Sequence, residues 1–143
     1  LDLYSRGIVG LAMDKTIAET LTLQALNQAV LRRSPPKGLV YHSDRGSQYA
    51  GNDFKALLAK NEFIGSMSKK GDCWDNAVAE SFFHTLKVEF IHRMKFKTRE
   101  EAKRKIFEYV ETYYNRKRAH SSLGYMSPLE FETQAVTSLQ TVH

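Results

Sequence analysis

Hydrophobic residues switch between two periods along the first half of this chain, and that alternation restricts the fold more than any other feature. Ile8-Val9-Gly10-Leu11-Ala12-Met13 is a short apolar run with β-branched residues, the pattern of a buried strand. Leu1-Asp2-Leu3-Tyr4 reads as the end of an earlier strand, with Ser5-Arg6-Gly7 as the turn. From about Ala18 to Arg32 the period becomes helical: Leu21, Ala25 and Ala29 recur at four-residue spacing, with Leu26 and Val30 beside them. Pro35 and Pro36, which lack a main-chain N–H, end that helix. Gly38-Leu39-Val40-Tyr41-His42 is a second buried strand, Phe54 to Lys60 a helix capped by Asn52, and Glu62 to Met67 a third, short strand. Strand, helix, strand, helix, strand, then a run of helices predicts an α/β fold. Functional side chains in such sheets gather at the carboxyl ends of the strands.

The second half reads as helical. Ser68 to Trp74 is polar, with two lysines and a glycine, and reads as a mobile loop. The next helix starts near Asp75 or Asn76, either of which can cap it, and Ala79, Phe83, Leu86 and Phe90 form its expected buried stripe. On a helical wheel Glu80 flanks that stripe. Thr98 with Glu101 makes a capping box for a further helix, whose apolar face is Ala102, Ile106, Tyr109, Val110 and Tyr113. Ser127-Pro128-Leu129-Glu130 repeats the pattern, with Pro at the first helical position. Residues after about Thr133 carry no clear pattern. The expected organisation is therefore one core, residues 1–131, and a frayed tail, residues 132–143, with no internal repeat.

The chain's 143 residues and 42% hydrophobic content suffice for a folded core. Its formal charge of +5 and pI of about 9.3 suit a polyanionic partner, of which nucleic acid is the commonest. Cys73 is the single cysteine, which rules out an internal disulfide and a zinc motif of paired Cys and His, and fits a reducing compartment. No apolar run is long enough to span a bilayer, and Leu1 to Arg6 lacks the basic flank and apolar core of a signal peptide. The first residue is not Met, so the chain reads as starting inside a longer polypeptide or as a fragment.

Two acids stand out. Asp44 falls just past the second strand, in His42-Ser43-Asp44-Arg45-Gly46-Ser47-Gln48. There it can hold a divalent cation, or serve as a turn aspartate in Ser-Asp-Arg-Gly. Glu80 lies in the first turns of a helix, as a second metal ligand or as an acid favoured by the helix dipole. Lys87, seven residues on, projects from the same helix face as Glu80, either solvated or placed against a phosphate. His84, one turn beyond Glu80, can approach a substrate but needs no function. Arg116, Lys117, Arg118 and His120 follow Tyr113-Tyr114 and form a basic cluster. It is either a solvated helix end or a DNA-backbone contact. Asp2 reads as a strand-end residue leading into a turn, not as a third carboxylate of the site.

Taken together, His42-Ser43-Asp44-Arg45-Gly46-Ser47-Gln48-Tyr49, Asp75-Asn76-Ala77-Val78-Ala79-Glu80-Ser81-Phe82-Phe83 and Leu86-Lys87-Val88-Glu89 resemble the catalytic core of bacterial insertion-sequence transposases. The group is the insertion-sequence-three family, whose core is similar to retroviral integrase. The tail agrees, through Tyr114-Asn115, Arg118, His120-Ser121-Ser122-Leu123-Gly124-Tyr125 and Ser127-Pro128, and so does Asp2-Leu3-Tyr4-Ser5-Arg6 followed by Ile8-Val9-Gly10. The likeness runs from Leu1 to about Phe131.

The resemblance implies a ribonuclease-H-like fold and a site of two aspartates and a glutamate binding two Mg²⁺ or Mn²⁺. Asp44 takes the place of the second acid and Glu80 that of the third. Lys87 matches the basic residue that contacts the DNA end; Arg116, Arg118 and His120 are candidate further DNA contacts on the strength of their own basic cluster. In the family the first aspartate sits on a first strand upstream of the segment matched by Leu1 to Arg6, so the chain resembles the carboxyl-terminal part of such a core, with extra C-terminal helices. The implied activity is metal-dependent DNA strand cleavage and strand transfer on transposon ends and target DNA, in a homo-oligomeric complex without membrane, in the bacterial cytoplasm at the nucleoid. No nucleophile–base pair is recognisable, which suits phosphoryl transfer without a covalent enzyme intermediate. The alternatives are a catalytically inactive DNA-binding or regulatory fragment, and a nuclease that cuts without joining.

Overall fold

The protein is described by a computed structural model that covers residues 1–67 and 76–140. The loop expected over Ser68 to Trp74, and Asp75 as a helix cap, lie outside the described residues. The chain divides into two compact units: Val9–Ser81, and Leu1–Ile8 together with the chain from Phe82 onward.

In the unit Val9–Ser81, α1 (Glu19–Arg33) ends at Ser34, whose left-handed backbone (φ 42°) returns its N–H to the Val30 carbonyl just before the two prolines. β1 (Val40–Ser43) and β2 (Ile64–Met67) pair in parallel, in the register Val40↔Ile64 to Ser43↔Met67. α2 (Asn52–Lys60) is part of the crossover that a parallel pair requires. Leu26, Phe54 and Phe63 form the core, with Leu23, Val30, Tyr41, Tyr49, Leu57 and Leu58 packed against it. Tyr41 and Tyr49 each meet the Phe54 ring edge-on, at 5.4 and 5.5 Å between centroids. Burying a side chain such as Phe54 stabilises by about 1.5–3 kcal/mol. The α/β class and two of the three central strands form as expected, but β1 is not buried: Val40 is 59% exposed.

Ile8 to Met13 differs from its expectation. It forms no strand, because a strand exists only where a neighbour takes its main-chain groups, and this segment finds other partners. The Leu11 N–H donates to Gln28 Oε1 on α1 (3.2 Å), and Gly10 lies so close to the Ala25 backbone that any Cβ there would overlap it. α2 also starts differently. Asn52 is its first residue rather than its cap, and the open Phe54 N–H is taken by Glu19 Oε1 (2.8 Å) from the first turn of α1. Gly51 precedes α2 because a side chain there would strike that same carboxylate.

In the second unit, Leu1 to Tyr4 is a turn and not a strand end. Asp2 N–H donates to the Gly7 carbonyl (2.8 Å), and Asp2 Oδ1 accepts from Tyr4 N–H (2.8 Å). α3 (Ala77–Glu89) buries Phe82 and Leu86, leaving Phe83 53% exposed and Ala79 outside, so its inner stripe is Phe82–Leu86 rather than Ala79–Phe83–Leu86. Phe82 meets the Tyr114 ring edge-on at 5.0 Å. After α4 (Arg99–Glu108) the chain continues into a π-helical turn, Tyr109–Tyr114. The wider turn takes extra residues per revolution, which puts Tyr114 inside (3% exposed) and Tyr113 outside (44%). α5 (Pro128–Gln140) continues past Thr133.

Both capping boxes form. Thr98 Oγ1 accepts from Glu101 N–H (3.0 Å) while the Glu101 carboxylate accepts from Lys97 N–H (2.7 Å). Ser127 N–H and hydroxyl both donate to Glu130 Oε2 (2.8 and 2.7 Å).

Candidate functional site

Asp44 is the first residue after β1, as the α/β pattern anticipates, and it is exposed. Its Oδ1 accepts from the Gly46 N–H (2.7 Å), which closes the turn leading into the short helical turn Ser47–Tyr49. Turn formation and metal binding are therefore compatible, since a carboxylate has acceptor capacity beyond one hydrogen bond. Burial first, then the charges of Tyr49 and Asp44, raise the Tyr41 phenol above its ordinary value. Burial and Asp44 raise Tyr49 as well, against a lowering by its hydrogen bond with Gln48. Both phenols stay neutral around Asp44 at physiological pH.

Glu80 sits in the first turn of α3 and is exposed, facing solvent rather than bordering the buried stripe. Lys87 is exposed in the last turn of the same helix, about 10 Å along its axis. His84, between them, is exposed too. Asp44 and Glu80 both belong to the unit Val9–Ser81. Among the described residues no group of three or more His, Cys, Asp or Glu side chains gathers to hold a metal ion. Asp44 and Glu80 each offer carboxylate oxygens, the ligand type that the hard cations Mg²⁺ and Mn²⁺ prefer. Mg²⁺ in particular is commonly held by one or two carboxylates, water and substrate phosphates rather than by an all-protein cage.

The basic cluster divides into two kinds of residue. Arg116 and Lys117 are exposed. Arg118 is held: its Nε and Nη2 donate to Glu89 Oε2 and Oε1 (2.8 and 2.7 Å), a bidentate pair at the end of α3. Tyr109 hydroxyl also donates to Glu89 Oε2 (3.2 Å), and the Arg118 guanidinium lies 5.9 Å from the centre of the Tyr114 ring. The Arg118 hydrogen bonds hold the Glu89 carboxyl below its ordinary range, and Glu89 raises Arg118 in return. His120 meets Tyr114 edge-on at 5.0 Å, and its Nε2 is buried without a hydrogen-bond partner. Burial, then the charge of Arg118, lowers its pKa, so the ring is neutral at pH 7.

Reading the sequence by period missed the roles of three of these groups. The pairing of Glu89 with Arg118, 29 positions on, and with the hydroxyl of Tyr109, expected only as part of an apolar helix face, follows no local repeat. Asn115 was noted without a role. Its side chain brackets Ile8, accepting from the Ile8 N–H and donating to the Ile8 carbonyl (both 2.9 Å), while its own carbonyl accepts from Leu129 N–H (2.9 Å).

Two family models described as "Integrase core domain" match this chain, one over residues 1–73 and the other over residues 80–136. Transposase InsF for insertion sequence IS3A of Escherichia coli (strain K12) is 45% identical over 134 residues, 94% of this chain and 46% of that protein. The transposase for insertion sequence element IS904 of Lactococcus lactis subsp. lactis (strain IL1403) is 45% identical over 132 residues, 92% of this chain and 52% of that protein. The chain thus spans about half the length of these relatives. It belongs to the integrase core domain family, on the branch of the insertion-sequence-three transposases. No helix among the described residues is long and apolar enough to cross a membrane.

Proposed function

We propose that this chain forms part of a ribonuclease-H-like catalytic core that cuts and joins DNA strands during transposition, as a homo-oligomer in the bacterial cytoplasm. Asp44 and Glu80 are its metal-binding acids. Lys87 and Arg116 are its DNA contacts, through charge, while Arg118, held by Glu89, and the neutral His120, against Tyr114, shape the tail that carries Arg116. The observation that carries this reading is the place of Asp44: an exposed carboxylate on the first residue past a parallel strand, in a chain that matches the integrase core from Leu1 onward.

When bound, a pair of divalent cations supplies Lewis acidity to phosphoryl oxygens and lowers the pKa of bound water. The protein's own share is positioning. The Gly46 N–H orients the Asp44 carboxylate, and α3 carries Glu80 and Lys87 on one face, so that acid and ammonium approach neighbouring parts of the same nucleic acid.

In the complete transposase, Asp44→Asn or Glu80→Gln is expected to abolish strand transfer while leaving duplex binding largely intact, read by joined-product assays and by gel shift. Wild-type joining by either variant would remove that residue from the site. Cut but unjoined products from the unaltered protein would favour a nuclease, and binding without cleavage a regulatory fragment.

A further inference from the structure

The positive excess of this chain is concentrated in one stretch. Residues 93–105 hold seven of the 21 Lys and Arg and two of the 16 Asp and Glu, a surplus equal to the +5 of the entire chain, while the rest balances. The structure lays this stretch on the surface. Arg93, Lys95, Lys97, Arg99, Lys103 and Arg104 are all exposed. Phe96 turns inward towards the Phe90 ring (6.2 Å between centroids), on an extended backbone that begins at Met94. Side chains alternate along extended chain, so Lys95 and Lys97 point the other way, to solvent. One turn of α4 separates Arg99 from Lys103, which places both on one helix face.

The two acids of the stretch do not cancel this row. Glu100 and Glu101 occupy the first turn of α4, where the helix dipole favours them, and the Glu101 carboxylate is turned back to the Lys97 N–H (2.7 Å). None of Lys95, Lys97, Arg99, Lys103 or Arg104 forms an ion pair with another described residue. A row of unpaired cations costs folding energy through mutual repulsion and is relieved by a polyanion.

We infer that Lys95, Lys97, Arg99, Lys103 and Arg104 form a second DNA surface that binds the phosphate backbone of duplex DNA without reading sequence. The inference rests on the reading of this protein as one that acts on DNA. A duplex presents one charge per roughly 1.7 Å of axis, the densest linear polyanion such a row meets. The inward Phe96 leaves no aromatic platform between Lys95 and Lys97, which favours a duplex over unpaired bases, whose binding relies on stacking.

The test is the salt dependence of binding to a fluorescent duplex of arbitrary sequence, by anisotropy in metal-chelating buffer. The triple variant Lys95→Gln/Lys97→Gln/Lys103→Gln is compared with Lys15→Gln/Lys55→Gln/Lys60→Gln, which removes the same charge from other exposed positions. Each lost phosphate contact reduces the slope of log K against log salt by about 0.9. The first variant is expected to lose up to about 2.7 from the slope and at least tenfold in affinity, and the second to keep the native slope. Equal losses in both variants, or a native slope in the first, would overturn the inference while leaving the DNA reading intact. A native protein with no duplex affinity would overturn both. Stronger binding to single strands, unaffected by the three lysines, would also exclude the duplex surface.

Discussion

Asp44 and Glu89 are both carboxylates at the ends of secondary structure, yet the protein uses them in opposite ways. Asp44 stands exposed after β1, with a single main-chain N–H donating to one of its oxygens. Glu89, at the end of α3, is half-buried and fully engaged, receiving two hydrogen bonds from Arg118 and one from Tyr109. Engagement lowers the pKa of Glu89 and fixes its charge; exposure leaves Asp44 with capacity for another partner. A charge whose partner is built into the fold is structural, and one left to solvent is available to a ligand.

That contrast can be broken most sharply by exchanging which acid is removed. Glu89→Ala leaves the half-buried Arg118 and the Tyr109 hydroxyl without their acceptor. It is expected to lower stability by about 2 kcal/mol, the scale of hydrogen bonds to charged groups. Asp44→Ala is expected to change stability by no more than about 0.5 kcal/mol, as is usual for exposed positions. Denaturant titration of the two variants decides the matter, and equal losses would erase the distinction drawn above. Glu19 sharpens it further, because it is a third acid with its own assigned donor, the Phe54 N–H. Glu19→Ala removes the distant cap of α2 and is expected to cost about 1 kcal/mol. Glu19→Gln, which keeps an acceptor oxygen, is expected to restore part of that loss in the same titration.

Features set by neighbours in sequence were legible in advance. Thr98 with Glu101 and Ser127 with Glu130 announce their helices because a capping box closes within four residues. The exit of β1 at Asp44 was legible too, because an apolar run followed by Ser-Asp-Arg-Gly marks a strand end. What escaped was set by distant contacts. Ile8 to Met13 has strand composition, yet its partners are the Gln28 side chain and the α1 backbone at one end and Asn115 at the other. The inward aromatic of the fourth helical region was misjudged by one residue, since nothing in a 3.6-residue period foretells the π turn that exchanges Tyr113 for Tyr114. For the proposed site, Asp44, Glu80 and Lys87 are candidates offered by residue type together with the family resemblance, whereas the pairing of Arg118 with Glu89 required the folded chain. Arg118 and Arg116 look alike in sequence and differ only in what the fold places beside them.

Acid titration separates the engaged groups by pH window, with the smallest expected effect. His120 has its pKa lowered from an ordinary value of 6.5 by burial and by the charge of Arg118, so the folded state binds its proton less readily than the unfolded state. Stability linked to His120 is therefore complete above about pH 6.5, declines as the pH falls below it, and levels off once the folded protein is also protonated there. Glu89 has the same sign for a different reason. Its carboxylate is stabilised by Arg118, so its contribution persists below the His120 window and is lost as the pH falls from about 4.5 through the depressed folded value. Thermal melts at closely spaced pH are expected to show two successive declines. His120→Gln should remove the upper one, and Glu89→Gln should shrink the lower one, leaving the share of Glu130, whose carboxyl is also held below its ordinary range by hydrogen bonds from Ser127. A single decline abolished by either substitution would mean that His120 and Glu89 titrate as one coupled unit through Arg118, and the separation between a merely buried group and a paired one would fail at this position.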